Sequence, residues 1–599
     1  MSDVIVTESY LEDIADAIRD RNGTNQTYKI HQMDEAIKDL HNGIIKKWVR
    51  PSDWPDYSQL DISNDEVIYL TYDTTYASNG NTIANYISIT VTGAYTVQRG
   101  SLSNGVFTAA DTATNVDSGG VFREQLPTNE GTYVVYKITP QSGASIQRFS
   151  FARRDNDNSS YYIRGWQQPC VERYCRLPNW VGTGNRTADQ YVWSTRYLHS
   201  DTVIDASPTS LLNAYADGGF ILTKVDMSTC SFSNVTNFSY FANGQQNLTE
   251  IYLPHDLSDK CTNIRTCFYN CYALLFVDFS GWDTSKVTTF ESMFQGCREL
   301  IEIKGIEDFD VSSATTLANM FNGCQALRKL DTSKWETSTA LTNLSGTFAG
   351  LYQVTELDVS GFNTTNVTSI GGCFNSVQKL KSIDLRNWTI SDKMTSLTNL
   401  FAYCRRLKTI QRNLNWNTTN VTTLEGMFRE CRCLKSINLS DFNTGKVTSA
   451  RYMFAGCNSL SVLNLSNMDF TTVTGTNGVG DFASNCWLLS SITFPTKSIY
   501  MPSLGYCYSL RTVTIPSSVT TLRDSCLRNL EQCEVIDFRN HASVPTLNAA
   551  TDITNGINSK LKIVVPDNLY STWIAAANWN NATISSKIIS VTDYEASLE

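Results

Sequence analysis

A phenylalanine recurs at a nearly constant interval through the centre of the chain, and this constrains the fold more than any other feature. It occurs at Phe241, Phe268, Phe294, Phe321, Phe348, Phe374, Phe401, Phe428, Phe454 and Phe482, so that neighbours are 26 to 28 residues apart. A fixed period in this range is typical of a solenoid, in which one short structural unit is stacked many times.

Each unit carries further apolar residues at fixed distances from its phenylalanine. In the unit of Phe374, aliphatic residues follow at positions six, nine and eleven (Leu380, Ile383 and Leu385), and the polar Asp384 lies between the last two. Because side chains alternate along a strand, positions nine and eleven face inward and position ten faces solvent. We therefore expect one short strand and one short helical turn per unit, with a core that stacking makes continuous.

Cysteine recurs at the third position after the phenylalanine. Six units have it: Cys271, Cys297, Cys324, Cys404, Cys431 and Cys457. Stacked equivalents lie about 4.8 Å apart, and a free buried cysteine behaves as a small hydrophobe. We interpret these residues as a column of reduced core thiols, because the total of 17 cysteines also argues against a complete disulfide framework.

The full repeat has a family resemblance. Met293-Phe294-Gln295-Gly296-Cys297, with Leu300 and Ile303 after it, recurs at 320–324, 427–431 and 453–457. The pattern resembles the BspA-like leucine-rich repeats of bacterial and phage surface proteins over about 250 residues. It departs at Leu351 and Val377, which replace the cysteine, and slips by one residue at Cys486. The resemblance implies a binding scaffold rather than a particular chemistry.

Composition and the chain ends restrict the class of protein. The formal net charge of −10 argues against nucleic acid as the main partner. Residues 1–6 have neither a basic region nor an apolar one, so we expect no signal peptide. No window of apolar residues is long enough to predict membrane insertion. We expect assembly in a host cytoplasm and a place on a virus particle, in its tail or baseplate.

The first 43 residues predict a helical hairpin. An apolar stripe with Leu11, Ile14 and Ile18 precedes a polar turn at 21–24, and a second stripe runs over 30–40. This segment resembles the N-terminus of many tail and tail-fibre proteins from phages of Gram-positive bacteria. The resemblance implies attachment to other tail or baseplate proteins. The alternative is a small hairpin that caps the next domain.

The remaining chain divides into three parts. Residues 44–205 predict an antiparallel β-sandwich, with strands at 67–72, 86–91, 132–138 and 146–151. Its aromatic residues Tyr161, Tyr162, Trp166 and Trp180 are candidate sugar platforms or ordinary core. Residues 206–490 are the solenoid, and residues 491–599 carry irregular leucine-rich repeats and a C-terminal cap.

We find no signature of catalysis. The sequence contains no G-x-S-x-G, H-E-x-x-H or P-loop motif. The recurring aspartates invite comparison with the paired carboxylates of glycosidases, but their regular spacing favours a structural ladder or a binding face. We therefore predict a protein that is not an enzyme and has no catalytic, cofactor-binding or metal-binding residues.

One set of charged residues exceeds what a scaffold needs. At positions four and seven several units carry a cation: Arg298, Arg328, Lys381, Arg405, Lys408, Arg432 and Lys435. Stacking predicts that these form a basic stripe on an acidic protein, suited to an anionic polymer such as a phosphate-bearing cell-wall glycopolymer. The alternative is that long charged side chains only keep the solenoid soluble.

These features together predict a phage tail fibre or receptor-binding protein. Its solenoid would attach the virion to a glycan or protein receptor on the bacterial surface, and tail fibres are commonly trimers, although no heptad pattern here indicates trimerisation. Three alternatives remain: a BspA-like bacterial surface adhesin, a structural baseplate or tail component without a receptor role, and a glycan-cleaving enzyme.

Overall fold

The computed structural model describes two parts of the chain. In the N-terminal part it describes residues 67–73, 86–91, 94–118, 120–125, 133–141, 149–151, 171–176 and 195–200. In the C-terminal part it describes residues 223–599 except 229, 414–415, 474, 524–525, 550–552, 554–555 and 557. The predicted hairpin at 1–43 and the candidate sugar platforms Tyr161, Tyr162, Trp166 and Trp180 lie outside the described residues.

The described N-terminal residues form ten strands in two sheets. They are β1 (Val67–Asp73), β2 (Tyr86–Val91), β3 (Tyr95–Ser103), β4 (Val106–Ala109), β5 (Thr114–Val116), β6 (Val121–Gln125), β7 (Tyr133–Pro140), β8 (Phe149–Phe151), β9 (Val171–Arg176) and β10 (Thr195–Ser200). Antiparallel pairing gives the order β9-β1-β7-β3-β4, with β5 beside β3, and a second sheet β6-β2-β8. Strands are therefore present at all four predicted places: β2 has the predicted bounds, and β1, β7 and β8 have shifted ends.

The two sheets touch at Phe122. Its backbone N–H donates to the hydroxyl of Tyr95 at 3.2 Å, and its ring centroid lies 6.3 Å from that of Tyr136. Tyr95 and Tyr136 are fully buried. Full face-to-face packing, which a sandwich requires, stays a prediction of the sequence.

The N-terminal sheet continues into the solenoid. Strand β10 pairs in parallel with β9 on one side and with β11 (Lys224–Asp226) on the other, where Leu198 is opposite Val225. The same sheet goes on through β12 (Glu250–Tyr252), β13 (Phe276–Asp278) and β14 (Glu302–Lys304). The first edge of the solenoid sheet is thus covered by paired backbone, which satisfies hydrogen-bonding groups that an open edge exposes.

Beyond β14 the solenoid sheet is made of very short strands that pair in parallel with the next unit. They are β15 (Ser382–Leu385), β16 (Thr409–Arg412), β17 (Val462–Asn464), β18 (Asp469–Phe470), β19 (Ser491–Thr493), β20 (Lys497–Ser498), β21 (Thr512–Thr514), β22 (Thr521–Leu522), β23 (Val535–Asp537), β24 (Thr546–Leu547), β25 (Lys562–Val565) and β26 (Ile588–Ser590). In β15, Ile383 and Leu385 are buried and Asp384 is not, as the alternation predicts. This is a leucine-rich-repeat β-solenoid.

The turn that carries the phenylalanine differs from the prediction of a short helix, which is wrong. Hydrogen bonds from alternate residues go to the neighbouring unit: the N–H groups of Ser292, Phe294 and Gly296 donate to residues 318, 320 and 322. The residues between them bond three positions back within the turn. Ser292 and Gly296 have φ of 55° and 82°. Left-handed residues at these two points interrupt the run of right-handed residues that a helix needs.

The phenylalanine rings form a stack inside the solenoid. From Phe268 to Phe454 successive ring centroids are 5.4 to 6.3 Å apart and the rings are nearly parallel. At the two ends the prediction is wrong by one residue. The N–H of Ala242 bonds residue 267 and that of Phe454 bonds residue 482, so Ala242 and Ala483, not Phe241 and Phe482, occupy the anchor position.

The C-terminal end carries the α-helices of the described chain: α1 (Tyr570–Ala575), α2 (Ala582–Ser585) and α3 (Val591–Ala596). Short 3-10 helices occur at Ile306–Asp308, Thr476–Val479 and Asp567–Leu569. Trp573 and Trp579 are fully buried, and the Trp579 indole donates to the carbonyl of Pro545 at 2.8 Å. These helices cover the end of the sheet at β26. None of the described helices has the length and apolar composition needed to cross a membrane.

Candidate functional site

The candidate surface lies where each unit passes from its cysteine to its strand. Position six in this stretch is a buried leucine, for example Leu380, Leu407 and Leu434. The residues before and after it are therefore held on an exposed edge of the solenoid. All seven predicted cations, from Arg298 to Lys435, are exposed.

The lysines at position seven lie on successive turns. The N–H of Lys408 donates to the carbonyl of Lys381 at 2.8 Å, and the following residues Ser382 and Thr409 are in register between β15 and β16. Lys435 is the equivalent residue one unit later, and its carbonyl accepts from Ser461 at 3.4 Å. Because stacked units are about 4.8 Å apart, three positive charges lie closely spaced along one line.

The arginines at position four lie beside this lysine row. Arg432 is in line with the next unit, because the N–H of Ser459 donates to its carbonyl at 3.0 Å. Its guanidinium forms an ion pair with Glu430 at 2.8 Å. Arg405, Lys381, Lys408 and Lys435 form no ion pair within the described residues. We name Lys381, Arg405, Lys408, Arg432 and Lys435 the basic edge.

The other two predicted cations lie apart from the basic edge. Arg298 and Arg328 belong to earlier units, and the unit of Phe348 between them and Lys381 carries Tyr352 and Thr355 at positions four and seven. The guanidinium of Arg298 packs on the ring of Tyr272, 4.5 Å from its centroid. The structure therefore brings together five of the seven residues.

A second group of cations, Arg429 and Arg451, was not predicted from the sequence. Arg429 lies between the rings of Tyr403 and Tyr452, 5.4 and 4.6 Å from their centroids. Arg451 packs on Tyr452 at 4.4 Å and donates to its hydroxyl at 2.6 Å. Both tyrosines have positive φ, 61° and 59°. The sequence does carry a sign of this group: Tyr403 and Tyr452 occupy positions where other units have glycine or asparagine, the residues that most easily adopt positive φ.

One ion pair is buried. The guanidinium of Arg412 bonds the carboxylate of Asp441 through two nitrogens at 2.7 Å, and the two side chains are 5% and 10% exposed. Arg412 takes position eleven, where other units have residues such as Leu385 or Leu439. Burial raises the pKa of Asp441, but the hydrogen bond and charge of Arg412 outweigh burial and hold that pKa below its ordinary value.

The cysteine column is buried inside the solenoid. All six cysteines predicted for the column are free, as are the other cysteines described between residues 223 and 599. The thiols of Cys404 and Cys431 donate to the anchor carbonyls of the preceding units, Phe374 and Phe401, at 3.0 and 3.1 Å. Burial raises the pKa of Cys404 to about 12, so almost no nucleophilic thiolate forms there at neutral pH. Cys486 and Cys507 extend the column, with Sγ at 3.2 and 3.1 Å from carbonyls 454 and 483.

The histidines and acidic residues of the described chain form no evident metal centre. Across its two described parts, no group of three or more His, Cys, Asp or Glu residues is placed to hold a metal ion. His255 contacts the carbonyl of Ser280 through Nδ1 at 2.7 Å. His541 is buried against Phe538, and burial lowers its pKa. Each has a local structural contact.

Two family models match the solenoid. The model described as BspA type leucine-rich repeat region matches residues 478–594 in six copies. The model described as Mycoplasma protein of unknown function, DUF285, matches residues 220–305, 262–388, 298–413 and 372–486. The matched segments start after the ten N-terminal strands and reach helix α3. No curated protein sequence matches the chain.

Solved leucine-rich-repeat proteins also align with the chain. A leucine-rich repeat protein from Bacteroides ovatus is 16% identical, covers 63% of this chain and 86% of its own, and has a TM-score of 0.32. A leucine-rich repeat protein from Eubacterium ventriosum is 17% identical, with coverages of 61% and 90% and a TM-score of 0.29. A leucine rich cell surface protein from Faecalibacterium prausnitzii is 17% identical, with coverages of 63% and 82% and a TM-score of 0.21.

Proposed function

We propose, from the premise that this chain carries BspA-type leucine-rich repeats, that it is an adhesin that attaches to a cell surface through the basic edge of its solenoid. The observation that carries the proposal is the lysine row on the turns of Lys381, Lys408 and Lys435. These exposed ammonium groups lie on neighbouring units and have no carboxylate partner within the described residues.

Like charges at this spacing repel one another. Two unit charges 4 Å apart interact by about 1 kcal/mol in water, so a row of cations costs free energy unless anions neutralise it. Elsewhere on the solenoid some cations have such anions: Lys304 contacts Asp278 at 2.7 Å and Lys334 contacts Asp308 at 2.6 Å. An external polymer with regularly spaced anionic groups would supply the missing counter-charges, and we infer a phosphate-bearing cell-wall glycopolymer as the ligand class.

We favour a bacterial surface adhesin over a component of a virus particle. The repeats resemble those of surface proteins, and the matched family models cover residues 220–594. The tail-fibre interpretation depends instead on residues 1–43, which lie outside the described residues. Virion location, attachment to other tail proteins and trimer formation therefore stay predictions of the sequence.

The proposal assigns binding and no chemistry. We propose that neither catalysis nor a cofactor takes part, and that neither nucleic acid nor a membrane interior is a partner. A protein receptor on the cell surface is the alternative ligand, and it would use the same exposed edge.

The test is a binding measurement with the full-length protein. It would be incubated with a panel of Gram-positive cells and with their extracted wall polymers, at increasing salt concentration. We expect binding to at least one anionic polymer that weakens steeply with salt, because salt screens exposed charges beyond a Debye length of about 10 Å at 0.1 M. Binding that does not change with salt would contradict the proposal.

A further inference from the structure

The row at position four changes its chemistry along the solenoid. In the consecutive units anchored at 401, 428, 454, 483 and 504 it reads Arg405, Arg432, Asn458, Trp487 and Tyr508. Backbone and side-chain hydrogen bonds show that these residues are on successive turns: Ser459 donates to the carbonyl of 432, Leu488 to that of 458, and the Ser509 hydroxyl to that of 487, at 2.8 to 3.1 Å. The basic edge therefore runs into an aromatic segment.

Trp487 is placed as an open platform. It is 51% exposed, and its neighbour Leu488 is 57% exposed. Within the described chain its ring has no aromatic or cationic partner. This contrasts with Trp335, Trp388, Trp416, Trp573 and Trp579, all of which are buried. Exposure of a large apolar ring to water is unfavourable, so nothing in the packing of the solenoid explains its position.

The surroundings of Trp487 are polar. Asn458 lies one unit before it and donates its amide to the carbonyl of Asn485 at 2.9 Å, which leaves the Oδ1 atom as an acceptor. Tyr508 lies one unit after it, in edge contact with Tyr506 at 6.3 Å, and Arg528 packs on Tyr506 at 4.7 Å. A protein interface of standard size has an apolar core of many residues, whereas the exposed apolar side chains Trp487 and Leu488 have Asn458 and Tyr508 as their neighbours in the adjacent units.

We propose that Trp487 is a stacking platform for a sugar ring of the same anionic polymer whose charged groups bind the basic edge. The inference rests on the proposed function and adds the place where the sugar is read. The C–H face of a pyranose carries weak positive charge and packs on the negative face of an indole. Trp487 is two repeat units after Arg432, which places the two residues roughly 10 Å apart along the solenoid, so that one bound polymer chain can contact both.

The experiment uses the full chain and two phosphate polymers, one that carries sugar rings and one that carries none. One probe is a glucosylated poly(ribitol phosphate) and the other is inorganic polyphosphate. The variants are Trp487→Ala, Trp487→Phe and, as a control at another exposed aromatic residue, Tyr252→Ala, since Tyr252 is 40% exposed on β12. Thermal unfolding of each variant confirms that the fold is retained.

We expect Trp487→Ala to bind the glucosylated polymer roughly tenfold more weakly, since loss of one stacked ring on an aromatic platform has an effect of this order. Its affinity for polyphosphate stays at the wild-type value. Trp487→Phe retains most of the affinity, and Tyr252→Ala binds both probes normally. Equal binding by wild type and Trp487→Ala, or an equal loss for both polymers, overturns the inference and leaves the proposed function standing. Failure of the wild type to bind either polymer overturns both.

Discussion

Equivalent interior positions of the repeat keep the same kind of residue from unit to unit, whereas equivalent exterior positions do not. Inside, the anchor rings from Phe268 to Phe454 stack without a break, and the cysteine position stays apolar even where it becomes Leu351 or Val377. Outside, position seven reads Ile301, Arg328, Thr355, then three lysines, then Ser461. Residues on the exterior are free to vary from unit to unit.

This difference separates scaffold from candidate site. Stacking requires the same volume at the same interior point of every unit, so interior regularity follows from the fold alone. No packing requirement acts on an exposed position, so the consecutive lysines at 381, 408 and 435 need another cause. The predictions below test this contrast, from the largest expected effect to the smallest.

Truncation of a buried side chain of the ring stack will have the largest effect on stability. Phe348 is fully buried and stacks between Phe321 and Phe374, at 6.3 and 5.7 Å. We expect Phe348→Ala to lower the free energy of unfolding by about 3–5 kcal/mol, through lost burial and a cavity. Denaturant titration followed by circular dichroism measures it. The exposed Trp487→Ala serves as control, and a loss below about 1 kcal/mol for Phe348→Ala would refute a continuous ring stack.

The buried ion pair gives the second prediction. Asp441→Ala leaves Arg412 charged and without its carboxylate at a side-chain exposure of 5%, for which we expect a loss of about 3–5 kcal/mol. The double variant Arg412→Leu/Asp441→Ala should recover most of that loss, since other units have leucine at this position. If the double variant is as unstable as the single one, the charge is not the cause.

The same pair predicts an acid effect. The folded-state pKa of Asp441 is lowered, so its contribution to stability is present above the unfolded pKa and is lost as pH falls through the folded value. Wild type should therefore lose more stability than the Arg412→Leu/Asp441→Ala variant between neutral and acid pH. Parallel stability profiles for the two proteins would contradict the assignment.

The smallest expected effect is a difference in reactivity between two cysteines that are only two residues apart. Cys431 is buried in the interior column and its pKa is raised by burial, whereas Cys433 is half-buried on the exterior. We expect native protein at mildly alkaline pH to alkylate Cys431 at least about tenfold more slowly than Cys433. Peptide mass spectrometry measures both rates in one sample, and unfolding in urea should make them similar. Equal rates in the native protein would show that the column is open.

The interior was largely predictable from the sequence and the details of register were not. Anchors 268 to 454, the inward alternation at Ile383 and Leu385, and the free thiols follow from periodicity. The predicted anchors at the two ends are wrong because a recurring phenylalanine indicates Phe241 and Phe482. Backbone hydrogen bonds between units instead place Ala242 and Ala483 at the anchor position. The sequence shows that Arg412 is a charged residue at a core position. It does not show that the partner is Asp441, 29 residues away.

The candidate site was predictable only as a row. Spacing indicates which residues align, and five of the seven cations lie on successive turns. Spacing does not reveal that Arg432 is neutralised by Glu430, that Arg298 packs on Tyr272, or that the row continues to Trp487. Those properties depend on side-chain directions and on neighbours from adjacent units.

The most direct test compares two charge reversals that change the net charge equally. One variant carries Lys381→Glu, Lys408→Glu and Lys435→Glu. Its control carries Lys286→Glu, Lys393→Glu and Lys446→Glu, three exposed lysines near position eighteen of their units. Affinity for an extracted anionic wall polymer would be measured for both and for wild type. We predict that the first variant loses binding and keeps its unfolding midpoint, while the control binds like wild type. Equal binding by the two variants would contradict the assignment of the basic edge.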